Sequence, residues 1–134
     1  MKRRATAWAR AQPEVGSLPL GYFGASTGAA AALSAAATAG PEAGVGAVVS
    51  RGGRPDLAGS ALAQVAAPTL LIVGGRDEPV IELNRQAREQ LRCPSELQIV
   101  PGATHLFEEP GTLDAVAELA ADWFGRYLVT ATPA

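Results

Sequence analysis

A chain of 134 residues has the length of one domain that can bury a core of its own. Its net charge of −2 gives no electrostatic case for nucleic acid or an anionic membrane surface as a partner, and no apolar run reaches the roughly 18 residues that a membrane span requires. The apolar share of 48% fits a soluble globular protein, although much of it is alanine, which buries little area per side chain.

The chain opens on a predicted short helix over 2–12, anchored by Trp8 and closed by Pro13. The basic start, Lys2, Arg3 and Arg4, reads as a solvated face, and no apolar stretch follows it as an export signal requires. A first strand is expected over 18–23, with Pro19 near its beginning, where proline is tolerated. The sequence Gly24-Ala25-Ser26-Thr27-Gly28 comes next. A serine on a sharp strand-to-helix turn projects its hydroxyl off the sheet, and both glycines are expected to be needed because a Cβ would clash as the backbone folds tightly around it. Ser26 then opens a helix of small residues that runs to about Ala39 and is stopped by Gly40-Pro41.

The apolar run 45–50 reads as a strand covered on both faces, followed by the loop Arg51-Gly52-Gly53-Arg54-Pro55. A helical turn over 56–64 leads to Thr69–Gly74, the clearest buried strand. From Pro79 to about Arg92, apolar residues at Val80, Leu83, Ala87 and Leu91 have helical spacing. Residues 96–100 form a further strand, and the loop 101–111 carries His105. A final amphipathic helix over 113–128 places Leu113, Val116, Leu119, Ala120, Trp123, Phe124 and Tyr127 on or near one face. Residues 1–128 read as a single domain and 129–134 as a frayed tail. The single Cys93 has no disulfide partner within the chain, which points to a reducing, cytoplasmic setting. It reads as a bystander and not as a nucleophile.

Strands alternating with helices imply parallel pairing through right-handed crossovers. The expected fold class is therefore α/β: a three-layer sandwich with about four parallel strands and helices on both faces. Ligands of such sheets lie beyond the carboxyl ends of the strands. Ser26, Arg51, Asp77 and His105 each follow a strand and so share that edge. A serine hydroxyl needs a base to take its proton, and His105 is the only histidine in the chain. A carboxylate must then orient the imidazole. Asp77 is favoured over Glu78, and over Glu108 and Glu109 in the histidine's own loop. Alone, Ser26 reads as a helix cap, Asp77 as a cap before Pro79 and His105 as a surface residue; their order and common edge point to a triad. Arg51 and Arg54 offer charge for a substrate carboxylate or phosphate, or form a solvated loop. Val80, Leu106 and Phe107 line an acyl pocket or belong to the core.

These residues resemble the α/β-hydrolase superfamily. Gly24-Ala25-Ser26-Thr27-Gly28, then Leu70-Leu71-Ile72-Val73-Gly74-Gly75 with Asp77, then Pro101-Gly102-Ala103-Thr104-His105-Leu106-Phe107 are similar to its dienelactone-hydrolase-like branch over nearly the whole chain. The resemblance implies hydrolysis of esters or lactones without a metal or organic cofactor, with Ser26 as nucleophile, Asp77 as acid and His105 as base. Typical dienelactone hydrolases use cysteine as nucleophile. Serine departs from that and favours carboxylesterase activity on short-chain esters through an acyl-enzyme intermediate. The same triad also serves thioesterases and acyltransferases, and a weakly active remnant working as an oligomeric binding module is a further alternative.

One helix and one strand precede Ser26, so the resemblance implies the second half of the fold. The other half normally supplies one oxyanion amide, which leaves the backbone N–H of Thr27 as the donor in hand and predicts modest activity. An uncovered sheet edge further predicts a homodimer or higher homo-oligomer. Pro19 limits continuous strand pairing there, so that helix or face packing dominates. A small-molecule ester is the other expected partner.

Overall fold

The computed structural model describes residues 20–39 and 45–128. The predicted helix over 2–12, the start of the first strand and the tail 129–134 lie outside the described residues. Four strands alternate with helical segments: β1 (Leu20–Ala25), α1 (Thr27–Ala39), β2 (Val45–Arg51), a 3₁₀ segment (Pro55–Gln64), β3 (Thr69–Gly74), α2 (Glu78–Gln90), β4 (Ser95–Val100) and α3 (Thr112–Tyr127). All neighbouring strands are parallel and stand in the order β1-β2-β3-β4. Each crossover therefore delivers the chain to the strand beside the last one. β1 and β2 end flush, with Ala25 opposite Arg51.

Alternation along the strands divides the core in two. On one face Tyr22, Val48 and Leu71 pack with Leu33 of α1, Leu62 of the 3₁₀ segment and Ala87 of α2. On the other, Ala47, Val49, Leu70 and Ile72 pack with Val116, Ala120 and Trp123 of α3. Every residue of β3 is buried, as its unbroken apolar sequence requires of a strand covered on both sides. α1 contributes Ala29, Ala32, Ala35 and Ala36 to the interior. The Trp123 indole donates to the Pro68 carbonyl at 3.1 Å, which ties α3 to the start of β3. The α/β sandwich with helices on both faces is thus the observed architecture.

Two helical faces differ from the sequence reading. α2 buries Ile81, Asn84 and Ala87, whereas Val80 and Leu83 are only partly covered. A stripe through 80, 83 and 87 and one through 81, 84 and 87 both have helical spacing, and the buried one contains an asparagine that an apolar count passes over. In α3, Leu113 is 53% exposed; the helix begins at Thr112, whose hydroxyl donates to the Glu109 carbonyl at 2.7 Å and whose side chain is the one turned inward. Among the described residues β1 pairs only with β2, and Phe23 on it is 44% exposed. No helix among the described residues is long and apolar enough to cross a membrane.

Candidate active site

β1 ends at Ala25 and α1 begins at Thr27, so the chain reverses within one residue. That residue, Ser26, has φ +51°, a left-handed backbone that costs an L-residue about 1–3 kcal/mol. Three backbone bonds hold it: the Ser26 carbonyl accepts from Ala29 N at 3.2 Å and Arg54 N at 3.1 Å, and the Ser26 amide donates to the Arg51 carbonyl at 3.4 Å. The two motif glycines are not equivalent. A Cβ on Gly24 would lie 2.6 Å from the Gly28 carbonyl oxygen and 2.8 Å from the Ala29 backbone, whereas a Cβ on Gly28 would meet nothing within 4 Å. The expectation that both glycines relieve a clash therefore holds for the first alone. Gly28 lies in the first turn of α1, clear of the reversal.

Asp77 follows β3 and stands at the N-cap of α2, yet its carboxylate makes no capping bond. Its backbone does that work: the amide donates to the Gly74 carbonyl, and the carbonyl accepts from Val80 N and Ile81 N, each at 3.0 Å. The carboxylate is left free to face His105, whose Nδ1 is 2.9 Å from Asp77 Oδ2. His105 Nε2 lies 3.0 Å from Ser26 Oγ. With the carboxylate accepting from Nδ1–H, Nε2 has the lone pair that accepts the serine proton. The Asp77 side chain is 15% exposed and that of His105 41%, so the acid is sheltered while the imidazole borders solvent.

The histidine loop is pinned at both ends. Thr104 donates its amide to Glu109 Oε1 at 2.9 Å and its hydroxyl to Oε2 at 2.8 Å. These bonds, the amide's first, hold the Glu109 carboxyl below its ordinary value. Phe107 has φ +56° and is buried at 1% exposure, so it staples the loop to the α3 side of the core. Gly52, at φ +53°, sits against the His105 carbonyl: a Cβ there would lie 3.1 Å from that oxygen and 3.3 Å from the Phe107 ring.

The other sequence candidates separate. Arg54 is engaged by Asp56 through two bonds of 3.0 and 2.9 Å, which raise the Arg54 pKa and lower that of Asp56; it is not a free cation for substrate. Arg51 lies over the Phe107 ring, 5.6 Å from its centroid. Among the described residues it forms no ion pair. Phe107 belongs to the core and does not line an open pocket, Leu106 is 59% exposed, and Val80 is half-buried. Thr27 is the first residue of α1, a position whose N–H has no partner within a helix. Among the described residues no group of His, Cys, Asp and Glu is arranged to hold a metal ion. Two features went unread in the sequence: the Glu109–Thr104 clamp, which follows no spacing rule, and the buried Asn84, whose one signal is a polar residue inside a helical stripe.

The model of the dienelactone hydrolase family matches residues 2–130. The chain belongs to the dienelactone hydrolase family. It is similar to the crystal structure of a dienelactone hydrolase from Anabaena variabilis, with a TM-score of 0.92 and 60% identity over 96% of this chain and 58% of that one. The esterase domain of a Rhodothermus marinus protein shares the fold, with a TM-score of 0.78 at 24% identity over 96% of this chain and 68% of that one. Curated relatives from two strains of Mycobacterium tuberculosis are 63% identical over 123 residues, 92% of this chain and 27% of theirs. Each carries the provisional name of a phosphoribosyl transferase. This dienelactone hydrolase family chain thus spans about a quarter of the curated relatives it matches.

Proposed function

We propose that the chain is a serine hydrolase that cleaves short-chain carboxylic esters through an acyl-enzyme. The observation that carries this reading is the continuous contact from Ser26 Oγ to His105 Nε2 at 3.0 Å and from His105 Nδ1 to Asp77 at 2.9 Å. Membership of a hydrolase family and the esterase fold of its neighbours support the class of reaction.

In this mechanism His105 takes the Ser26 proton as Oγ attacks the ester carbonyl, and a tetrahedral oxyanion forms. The Thr27 N–H donates to that oxyanion from the start of α1, where the helix dipole also favours negative charge. Asp77 stabilises the imidazolium and fixes which nitrogen carries the proton. The tetrahedral intermediate then collapses, the carbon–oxygen bond breaks, and His105 returns its proton to the departing alcohol. Water, deprotonated by the same imidazole, attacks the acyl carbonyl; the bond from that carbon to Ser26 Oγ then breaks, His105 returns the proton to Oγ, and the carboxylic acid leaves. The left-handed backbone at Ser26 keeps Oγ clear of the sheet throughout. In this reading the exposed Leu106, next to His105 in the chain, and the half-buried Val80 are the apolar side chains proposed to flank a short acyl group.

The test is hydrolysis of p-nitrophenyl acetate by the chain and by Ser26→Ala. Loss of the serine is expected to lower kcat by at least about 10³-fold, and equal rates would overturn the proposal.

A further inference from the structure

A polar contact that the ester-cleaving reading does not use lies beneath the elbow. Asn84 is fully buried on α2. Its Nδ2 donates to the Gly53 carbonyl at 3.1 Å and to the Val80 carbonyl, one turn back, at 2.8 Å. Both partners are carbonyl oxygens, so the amide can face only one way; reversing it would set oxygen against oxygen. That orientation leaves Asn84 Oδ1 without a hydrogen-bond partner, and the Oγ of buried Ser50 is likewise unpartnered. Such groups are uncommon in a core and call for an explanation. An apolar side chain at position 84 would continue the stripe of Ile81 and Ala87. What asparagine adds is the bond to Gly53.

Gly53 leads directly to Ser26. A Cβ there would lie 2.2 Å from Ser50 Oγ and 2.4 Å from the Ala29 side chain, so the loop is wedged between β2 and α1. The next amide, Arg54 N, donates to the Ser26 carbonyl at 3.1 Å. Contacts therefore run from Asn84 through Gly53 and Arg54 to the residue with φ +51°, a backbone that persists only where its surroundings over-determine it. α2 is also the helix that Asp77 introduces. One rigid element thus reaches the imidazole through Asp77 and the serine backbone through Asn84.

We propose that Asn84 is a positioning residue that locks the Ser26 elbow through Gly53 and holds it in register with Asp77 and His105. The catalytic consequence rests on the ester-cleaving reading. In the full chain, Asn84→Ala and Asn84→Leu are compared with Ser50→Ala, which removes a buried polar atom lying against the same glycine without removing a donor to it. Three quantities are read: the rate of Ser26 labelling by a fluorophosphonate, kcat and KM on p-nitrophenyl acetate, and exchange of the Arg54 amide by NMR.

Asn84→Ala is expected to slow labelling and kcat by about 10²-fold with KM within about twofold, as for a group that aligns reactants without touching them. Arg54 amide exchange is expected to accelerate at least about tenfold, and Ser50→Ala to leave all three readings unchanged. Asn84→Leu keeps nearly the size of the side chain and cannot donate; it decides the matter if the alanine variant does not fold. Unchanged labelling in the Asn84 variants, an equal loss in Ser50→Ala, or a raised KM at constant kcat would each overturn the proposal. If the parent chain neither labels nor hydrolyses, the ester reading falls, and Arg54 exchange still decides whether Asn84 holds the elbow: unchanged exchange sinks it.

Discussion

Ser26 shows how one residue can require its neighbours unequally. Its φ of +51° is held by backbone bonds, and the space for the turn comes from Gly24, where a Cβ would come within 2.6 Å of the Gly28 carbonyl oxygen. Gly28 faces open space and has helical surroundings. Gly24→Ala is therefore expected to lower stability by about 1–3 kcal/mol, the range for overpacking a tight site. Gly28→Ala is expected to leave stability unchanged or raise it by up to about 1 kcal/mol, since alanine is the better helix former. Urea unfolding of both variants checks this, and an equal loss in the two would contradict it. The motif itself could not separate these glycines, because a five-residue pattern records spacing and not which carbonyl a Cβ would strike. That Ser26, Asp77 and His105 come together was legible for a firmer reason: each follows a strand, and a parallel sheet gathers such positions at one edge.

At the scale of elements, strands and helices were legible because short apolar runs and helical spacing are different patterns, and β3 was read to the residue. The orientation of α2 was not, since Asn84 breaks the apolar stripe that marks a buried face; its amide is tolerated there because Gly53 and Val80 accept its protons. The histidine loop was equally opaque. Its shape depends on Glu109 gripping Thr104 across five positions, a contact set by the path of the loop and by no repeat. The Glu109 carboxyl is held below its ordinary value of 4.5 by the Thr104 bonds. A depressed carboxylate contributes stability that is complete above the unfolded-state pKa and is lost as pH falls through the folded one. The clamp is therefore expected to open at a pH below the ordinary value for this carboxyl. An NMR titration of the Thr104 amide should show a midpoint under 4.5, and should lose that inflection in Glu109→Gln. A midpoint at or above the ordinary value would remove the clamp from the account.

At the scale of the whole molecule, the proposed nucleophile Ser26 directly follows the strand that is outermost among the described residues. Among the described residues β1 pairs on one side only, and Phe23 on it is 44% exposed. An open strand edge with an apolar side chain beside it is a template for pairing or packing with another chain. We therefore expect the chain, taken alone, to associate as a homodimer or higher homo-oligomer through the β1 face. Whatever covers β1 also borders Ser26, because Ala25 and Ser26 are adjacent in the chain. An oxyanion hole is ordinarily built from two amides, of which the proposed mechanism takes one from Thr27, and removing a single donor costs about 10²–10³ in kcat. If the second donor comes from the covering chain, specific activity must rise with protein concentration over the range in which light scattering shows monomers converting to oligomers. Phe23→Glu should shift both curves to higher concentration together, since a charge at the covered face opposes association without touching Ser26, Asp77 or His105. A monomer by light scattering at micromolar concentration would refute the association. An oligomer whose specific activity is independent of concentration through dissociation would instead place the second donor within the chain.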